Sequence, residues 1–206
     1  MNIILRKCLR EPIPEITVAV GLLDEAVSAH LDSRYVEAEA LIRSADLPAI
    51  REWTESIWGA NSPYVVVNQL QSYSSELPKR KRVPARMPNT AEKKQLIDRD
   101  GFHCRFCGIP VIRRRIRMLL HSAYPLALPW GRKNEEQHAA LQAMWLQYDH
   151  ILPHARGGDN SLDNIVITCA PCNFGRMNYL LREVGLADPF SRCPLQSDWD
   201  GLERFV

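Results

Sequence analysis

The sequence predicts an α+β protein: a small helical unit in front, then a domain in which two short strands and a helix are stapled by a four-cysteine metal site. Three observations predict it. Apolar residues in the front part recur at three- and four-residue steps, the period of an amphipathic helix. Two C-x-x-C pairs, Cys104/Cys107 and Cys169/Cys172, bracket a long segment. Near the second pair, "QYDH", the polar "GGDNSLD", the β-branched "NIVITC" and "NFGRMNYLLREVG" follow one another, which reads as strand, loop, strand and helix.

The 206 residues suffice for one large or two small domains. No apolar run approaches the ~20 residues of a membrane span. The start, "MNIILRKCLREPIPE", lacks an apolar stretch followed by a small-residue cleavage site. An intracellular, cytoplasmic protein is expected. Charge is uneven: residues 1–77 carry 6 Lys/Arg against 11 Asp/Glu, residues 78–206 carry 20 against 13, and residues 78–117 carry 13 against 3. So basic a middle suits either a polyanion or a solvated linker.

In chain order, Ile16, Ala19, Val20, Leu23, Ala26, Val27 and Leu31 line one face of a first helix. Tyr35, Ala38, Leu41, Ile42 and Ala45 line a second. A third starts at Pro48, buries Ile50, Trp53 and Ile57, and stops at Gly59. No catalytic cluster occurs in residues 1–77, which read as a structural cap or docking module. "SPYVVVNQL" reads as a short strand. The stretch 78–88, with three prolines and the basic residues Lys79, Arg80, Lys81, Arg82 and Arg86, reads as a linker and marks a domain boundary. Residues 89–206 form the second domain. It opens with a helix started by Asn89 and Glu92 at capping-box spacing and stopped by Gly101. An inserted segment, 109–146, follows: "VIRRRIRM", with Arg113, Arg114 and Arg115, reads as a basic strand, and "NEEQHAALQAMW" as a helix with Ala140, Leu141, Met144 and Trp145 inward. His121 and His138 in this insertion are read as ordinary surface or core residues.

Two C-x-x-C pairs suit one tetrahedral zinc ion, with each pair forming a knuckle. The 61 residues between Cys107 and Cys169 exceed the ~15–20 of a simple ribbon, so a compact unit has to sit between the knuckles. Four thiolates leave no open coordination position, which makes such a zinc structural. A redox pair is the rival reading, and no βαβ context supports it. Cys8 and Cys193 read as free buried thiols.

The residues "RDGFHCRFCG" and "YDHILPHARGGDNSLDNIVITCAPCNFGR", in that order, resemble the HNH endonucleases, whose ββα-metal unit sits in a zinc-knuckle scaffold. The resemblance covers roughly residues 89–187. It implies that Asp149 and Asn173 bind a catalytic divalent ion, that His150 is the general base, and that Asn164 orients the imidazole. Asn173 stands where many members have His. Two oxygen ligands suit Mg²⁺ or Mn²⁺. Arg176 stands near a basic position of the family and would hold a phosphate, with Arg156 beside it. Lys79, Arg80, Lys81, Arg82, Arg113, Arg114 and Arg115 are further candidates for nucleic-acid contact. His154 is read as a loop residue. The expected function is metal-dependent hydrolysis of DNA, in a defence or restriction system, with the acidic front helices docking a protein partner. The rival is a zinc-stabilised nucleic-acid-binding module without turnover. One physical difficulty is visible in advance: neighbours on a regular strand point to opposite faces, so Asp149 and His150 share a site only if the strand is irregular or ends there.

Overall fold

The computed structural model describes residues 5–58, 61–68, 76–84 and 87–206. Three helices form the front: α1 (Pro14–Leu31), α2 (Tyr35–Ser44) and α3 (Pro48–Ile57). They bury the expected stripes, Ile16, Ala19, Leu23, Ala26 and Val27 on α1, Ala38 and Ile42 on α2, and Ile50, Trp53 and Ile57 on α3. Leu31 and Tyr35, at the α1–α2 turn, are exposed instead. Pro48 opens α3, where its missing N–H costs nothing. The expected stop, Gly59, lies outside the described residues. So do Gln69 and Leu70 of the expected strand. Residues 62–68 form no strand, and Asn68 N–H donates to Glu183 O at 2.7 Å.

The basic stretch crosses the later part of the chain as an extended strap with one 3-10 turn, Lys79–Lys81. Arg86 lies outside the described residues. Helix α4 (Thr90–Asp100) has the expected capping box: Glu92 N–H donates to Asn89 Oδ1 at 2.9 Å, and Asn89 N–H to Glu92 Oε2 at 2.8 Å. Gly101 ends it at φ 70°. Asp100, at its end, is fully buried and accepts from Arg99 and from Ile167 N–H at 3.0 Å, which ties α4 to the sheet.

The insertion corrects two expectations. "VIRRRIRM" is not a strand: residues Arg114–Ala123 form helix α5. Ile112, Ile116 and Leu120 are buried four residues apart, and that period prevails over the local alternation of apolar and basic residues. The segment after it is broken into a 3-10 turn, Asn134–Glu136, and a short helix α6 (Ala139–Ala143). His138 starts α6, is fully buried, and its Nε2 meets Ile42 O at 2.9 Å. It is a core residue, not a ligand.

Strands β1 (Leu146–His150) and β2 (Ile165–Cys169) pair antiparallel, with Asp149 opposite Val166 and His150 opposite Ile165. Helix α7 (Ala170–Arg176) follows at once. It is shorter than expected. The chain does not run helically to Gly185, because Met177 adopts φ 50° and turns it away. The strand–loop–strand–helix order is as expected.

The boundary expected at residue 77 does not interrupt the core. One cluster of buried residues runs from Leu9, Trp53 and Ile57 through Leu141 and Met144 to Ile167. Arg51 Nη2 donates to Gln137 O at 2.7 Å, and Ala139 N–H to Asp46 Oδ1 at 2.6 Å. Gly175 of α7 lies so close to the front that an added Cβ would fall 2.5 Å from Ile57 and 2.9 Å from Leu9. The helix carrying Asn173 and Arg176 is thus backed directly by the front unit.

Candidate functional site

The four knuckle cysteines converge. Cys104, Cys107, Cys169 and Cys172 place their sulfurs all within 4.8 Å of one another. A zinc ion with sulfurs at about 2.3 Å in a tetrahedron needs sulfur–sulfur edges of about 3.8 Å, so the set fits. Cys107 and Cys169 are 3.6 Å apart. The first knuckle is shaped by Gly108 at φ 82°, whose N–H donates to Cys104 O at 2.9 Å. Arg105 N–H donates to Ile167 O at 2.9 Å and docks that knuckle on β2. Burial raises the Cys104 thiol, but hydrogen bonds from the other three sulfurs more than reverse this and hold it well below the usual range. Of the two remaining cysteines, Cys8 is buried as expected, and Cys193 is exposed, contrary to expectation.

The acid–histidine pair is split. The strand stays regular through His150, so the two side chains leave on opposite faces. Asp149 is 6% exposed and faces α7, where Arg176 grips it. The same guanidinium, 1% exposed, donates to His150 O at 2.6 Å and to Tyr179 O at 2.8 Å. Burial pushes the Asp149 carboxyl up, and the guanidinium offsets part of that rise. Two expectations change as a result. Arg176 is committed inside the protein and does not present its charge to a phosphate. Asp149 has both oxygens engaged, so Asp149 and Asn173 do not fit a divalent ion in this arrangement. Asn173 itself is half-buried on α7, three residues before Arg176 and so on the same side of the helix.

His150 faces the loop that joins the strands. Its Nε2 lies 3.2 Å from Asn160 Oδ1. The tautomer follows from the next bond. Asn160 Nδ2 is 3.0 Å from Pro84 O, which can only accept, so the Asn160 amide oxygen is the atom turned to His150. His150 therefore carries its proton on Nε2 and keeps a lone pair on Nδ1. His154 is close by, with ring centroids 6.3 Å apart, and donates from Nε2 to Val83 O. The strap thus lies over the loop, held also by Leu77 N–H to Ala155 O at 2.8 Å.

Asn164 is a loop clamp, not the partner of the imidazole. Its Oδ1 accepts from Leu152 N–H at 2.8 Å, and its Nδ2 donates to Leu152 O at 3.1 Å and Asp159 O at 2.9 Å. The glycine pair has a physical reason. Gly157 sits at φ 97°, and a Cβ on Gly158 would lie 1.8 Å from Leu152 O. Asn160, which holds the ring, was missed in the sequence. An Asn after Gly-Gly-Asp reads as turn chemistry, and nothing local marks its second partner.

The basic candidates divide. Arg156 is held by Glu183 at 3.1 Å, Arg82 by Glu76 at 3.1 Å, and Arg113 by both oxygens of Glu203. Lys79, Arg80, Lys81, Arg114 and Arg115 are exposed.

A family model described as HNH endonuclease matches residues 140–184, less than a quarter of the 206-residue chain. The match spans Asp149, His150, Asn164, the second knuckle, Asn173 and Arg176, but not Cys104 or Cys107. A search of curated proteins and a search of solved structures each found no match. Among the described residues, no helix is long and apolar enough to cross a membrane. With the knuckles closed on one point and the loop between the strands held as a unit, the segment 140–184 is similar to the HNH endonucleases whose family model it matches.

Proposed function

We propose that this chain is an endonuclease that hydrolyses DNA phosphodiester bonds, with His150 as the general base and a structural zinc on Cys104, Cys107, Cys169 and Cys172. The observation that carries the reading is the fixed His150 tautomer within the matched segment. Asn160 fills Nε2, which leaves Nδ1 to take a proton from water as that water attacks phosphorus in line. Asn164 shapes the loop that holds Asn160, and Arg176 fixes β1 against α7, so both act as positioning residues. The family's Mg²⁺ or Mn²⁺ is assigned no step here, because Arg176 fills Asp149. By resemblance the products carry 5′-phosphate and 3′-hydroxyl ends.

The test is nicking of plasmid DNA with Mg²⁺ or Mn²⁺ added, comparing wild type with His150→Ala. A loss of 10²-fold or more, roughly the low end for a general base, is expected. Equal cutting by both proteins would end the catalytic assignment. A second reading, a zinc-stabilised nucleic-acid-binding module without turnover, is favoured by one observation, the closed Asp149–Arg176 pair. Salt-sensitive binding with no nicking in any metal would select it.

The proposal extends to a partner. Glu25 on α1, Asp32 at the turn and Glu37 on α2 are exposed; Arg34 pairs with both Asp32 and Glu37, so the four side chains keep an excess of negative charge, and this face is offered to a protein that licenses cutting in a defence or restriction system. Glu25→Lys with Glu37→Lys should remove that protein from a pull-down, and an unchanged set of captured proteins refutes the docking face.

A further inference from the structure

A groove of about 510 Å³ runs beside β1, between α4 and the start of α5. Lys93, Arg113, Arg114, Arg115, Trp145 and Tyr148 line it, and no carboxylate does. Arg113 is neutralised by Glu203, but Arg114 and Arg115 are exposed, and no ion pair holds either of them among the described residues. Lys93 lies over the Tyr148 ring, with Nζ 5.8 Å from the centroid. Beneath the groove Arg117, 5% exposed, is stacked on Trp130 at 3.4 Å and faces Trp145 at 5.1 Å, which adds positive potential from below.

The groove is aligned with the candidate base. Tyr148 and His150 are two residues apart on one regular strand, so both leave on the same face, opposite Asp149. Their Cα atoms are about 6.6 Å apart at about 3.3 Å per strand residue. The groove therefore lies on the strand face that also carries His150.

Resting on the nuclease reading above, we propose that this groove is the track for the nucleic-acid strand next to the scissile phosphate. Lys93, Arg114 and Arg115 contact successive phosphates, and Tyr148 offers its ring to a sugar or base. Cations interleaved with aromatic faces suit a strand that presents both charge and flat rings. An acidic peptide presents only the charge.

The test uses the full chain with His150→Ala, so that binding is read without cutting, and a fluorescently labelled DNA duplex with no added divalent metal. Arg114→Gln with Arg115→Gln should weaken binding at least 10-fold at low salt. It should also lower the slope of log affinity against log salt by about 1.8, at about 0.9 per phosphate contact. Tyr148→Leu should weaken binding with the slope unchanged. Lys133→Gln, an exposed lysine away from the groove, should do neither. Affinity and slope unchanged in the double variant overturn the track, as does displacement of the duplex by poly-glutamate as readily as by unlabelled DNA. The two readings fail separately. A wild type that never nicks, yet binds with a groove-dependent slope, removes the nuclease and keeps the track. A nicking wild type whose groove variants bind normally removes only the track.

Discussion

Arg176 holds both carboxylate oxygens of Asp149, with Nη2 2.5 Å from Oδ1 and Nε 3.1 Å from Oδ2, although the two residues are 27 positions apart. Both are almost fully buried. Removing one partner strands the other charge in a low-dielectric interior. Arg176→Met should therefore cost about 3–5 kcal/mol in urea unfolding. Asp149→Leu combined with Arg176→Met should recover most of that loss. A double variant as unstable as the single one would show that the pair is not the cause.

Asn160 sets the imidazole, so its substitutions should separate geometry from charge. Asn160→Leu should lower kcat about 10-fold with KM nearly unchanged, since it removes orientation and no binding contact. Asn160→Asp places a carboxylate beside His150, which favours the protonated ring. The rise of the rate with pH should then move to higher pH. A pH–rate profile identical to wild type in Asn160→Asp would contradict the assignment.

Gly158 has no room for a side chain. Gly158→Ala puts Cβ into Leu152 O and within 2.8 Å of Asn164 Nδ2, so the loop has to shift off its clamp. We expect about 1–3 kcal/mol of destabilisation, typical of overpacking, together with loss of nicking. Chemical denaturation and the plasmid assay read the two effects. A variant with unchanged stability and activity would mean that the loop does not need this closeness.

Zinc should be part of the fold. Cys104→Ser should lower the zinc content from one per chain and unfold the hairpin, because metal binding supplies folding free energy. Metal analysis and circular dichroism check it. A zinc-free variant with a wild-type melting curve would rule out a structural ion.

Buried His138 gives a pH signature. Burial lowers its pKa below the ordinary 6.5. In the window between that lowered value and 6.5 the unfolded chain binds a proton and the folded chain does not, so stability rises with pH there. Its contribution is complete above about 6.5, the unfolded value, and is lost as the pH falls through the window. His138→Gln should flatten the fall of Tm below pH 6.5. An equally steep fall in the variant would assign it to other groups.

How much of this was legible in the sequence depends on the range of the interactions. The knuckles were readable because C-x-x-C spacing is itself the geometry of two ligands. Helices α1, α3 and α4 were readable from period and caps, and the Gly157–Gly158 pair from turn chemistry. What was hidden is tertiary. Asp149 and His150 are adjacent in sequence, and only the regular pairing with Val166 and Ile165 shows that they part. Arg113 and Arg114 looked equivalent until Glu203 arrived from the tail to neutralise one of them. Helix α5 is hidden in the sequence because its basic residues obscure the four-residue period of Ile112, Ile116 and Leu120. The resemblance points to Asn164 as the partner of the imidazole, and only the hydrogen-bond partners show that Asn160 fills that place.

The contact at Gly175 bears on how the chain can be rearranged. The front unit reaches the half that carries the knuckles through a spot where one missing methyl-sized group lets Ile57 and Leu9 nestle against the α7 backbone. A graft of this knuckle-bearing unit onto a foreign front segment therefore inherits a shape requirement, and a segment without a matching knob leaves a dent behind α7. Exchange of the front segment in this chain thus has to preserve steric registry at a backbone position far in sequence from the joint itself.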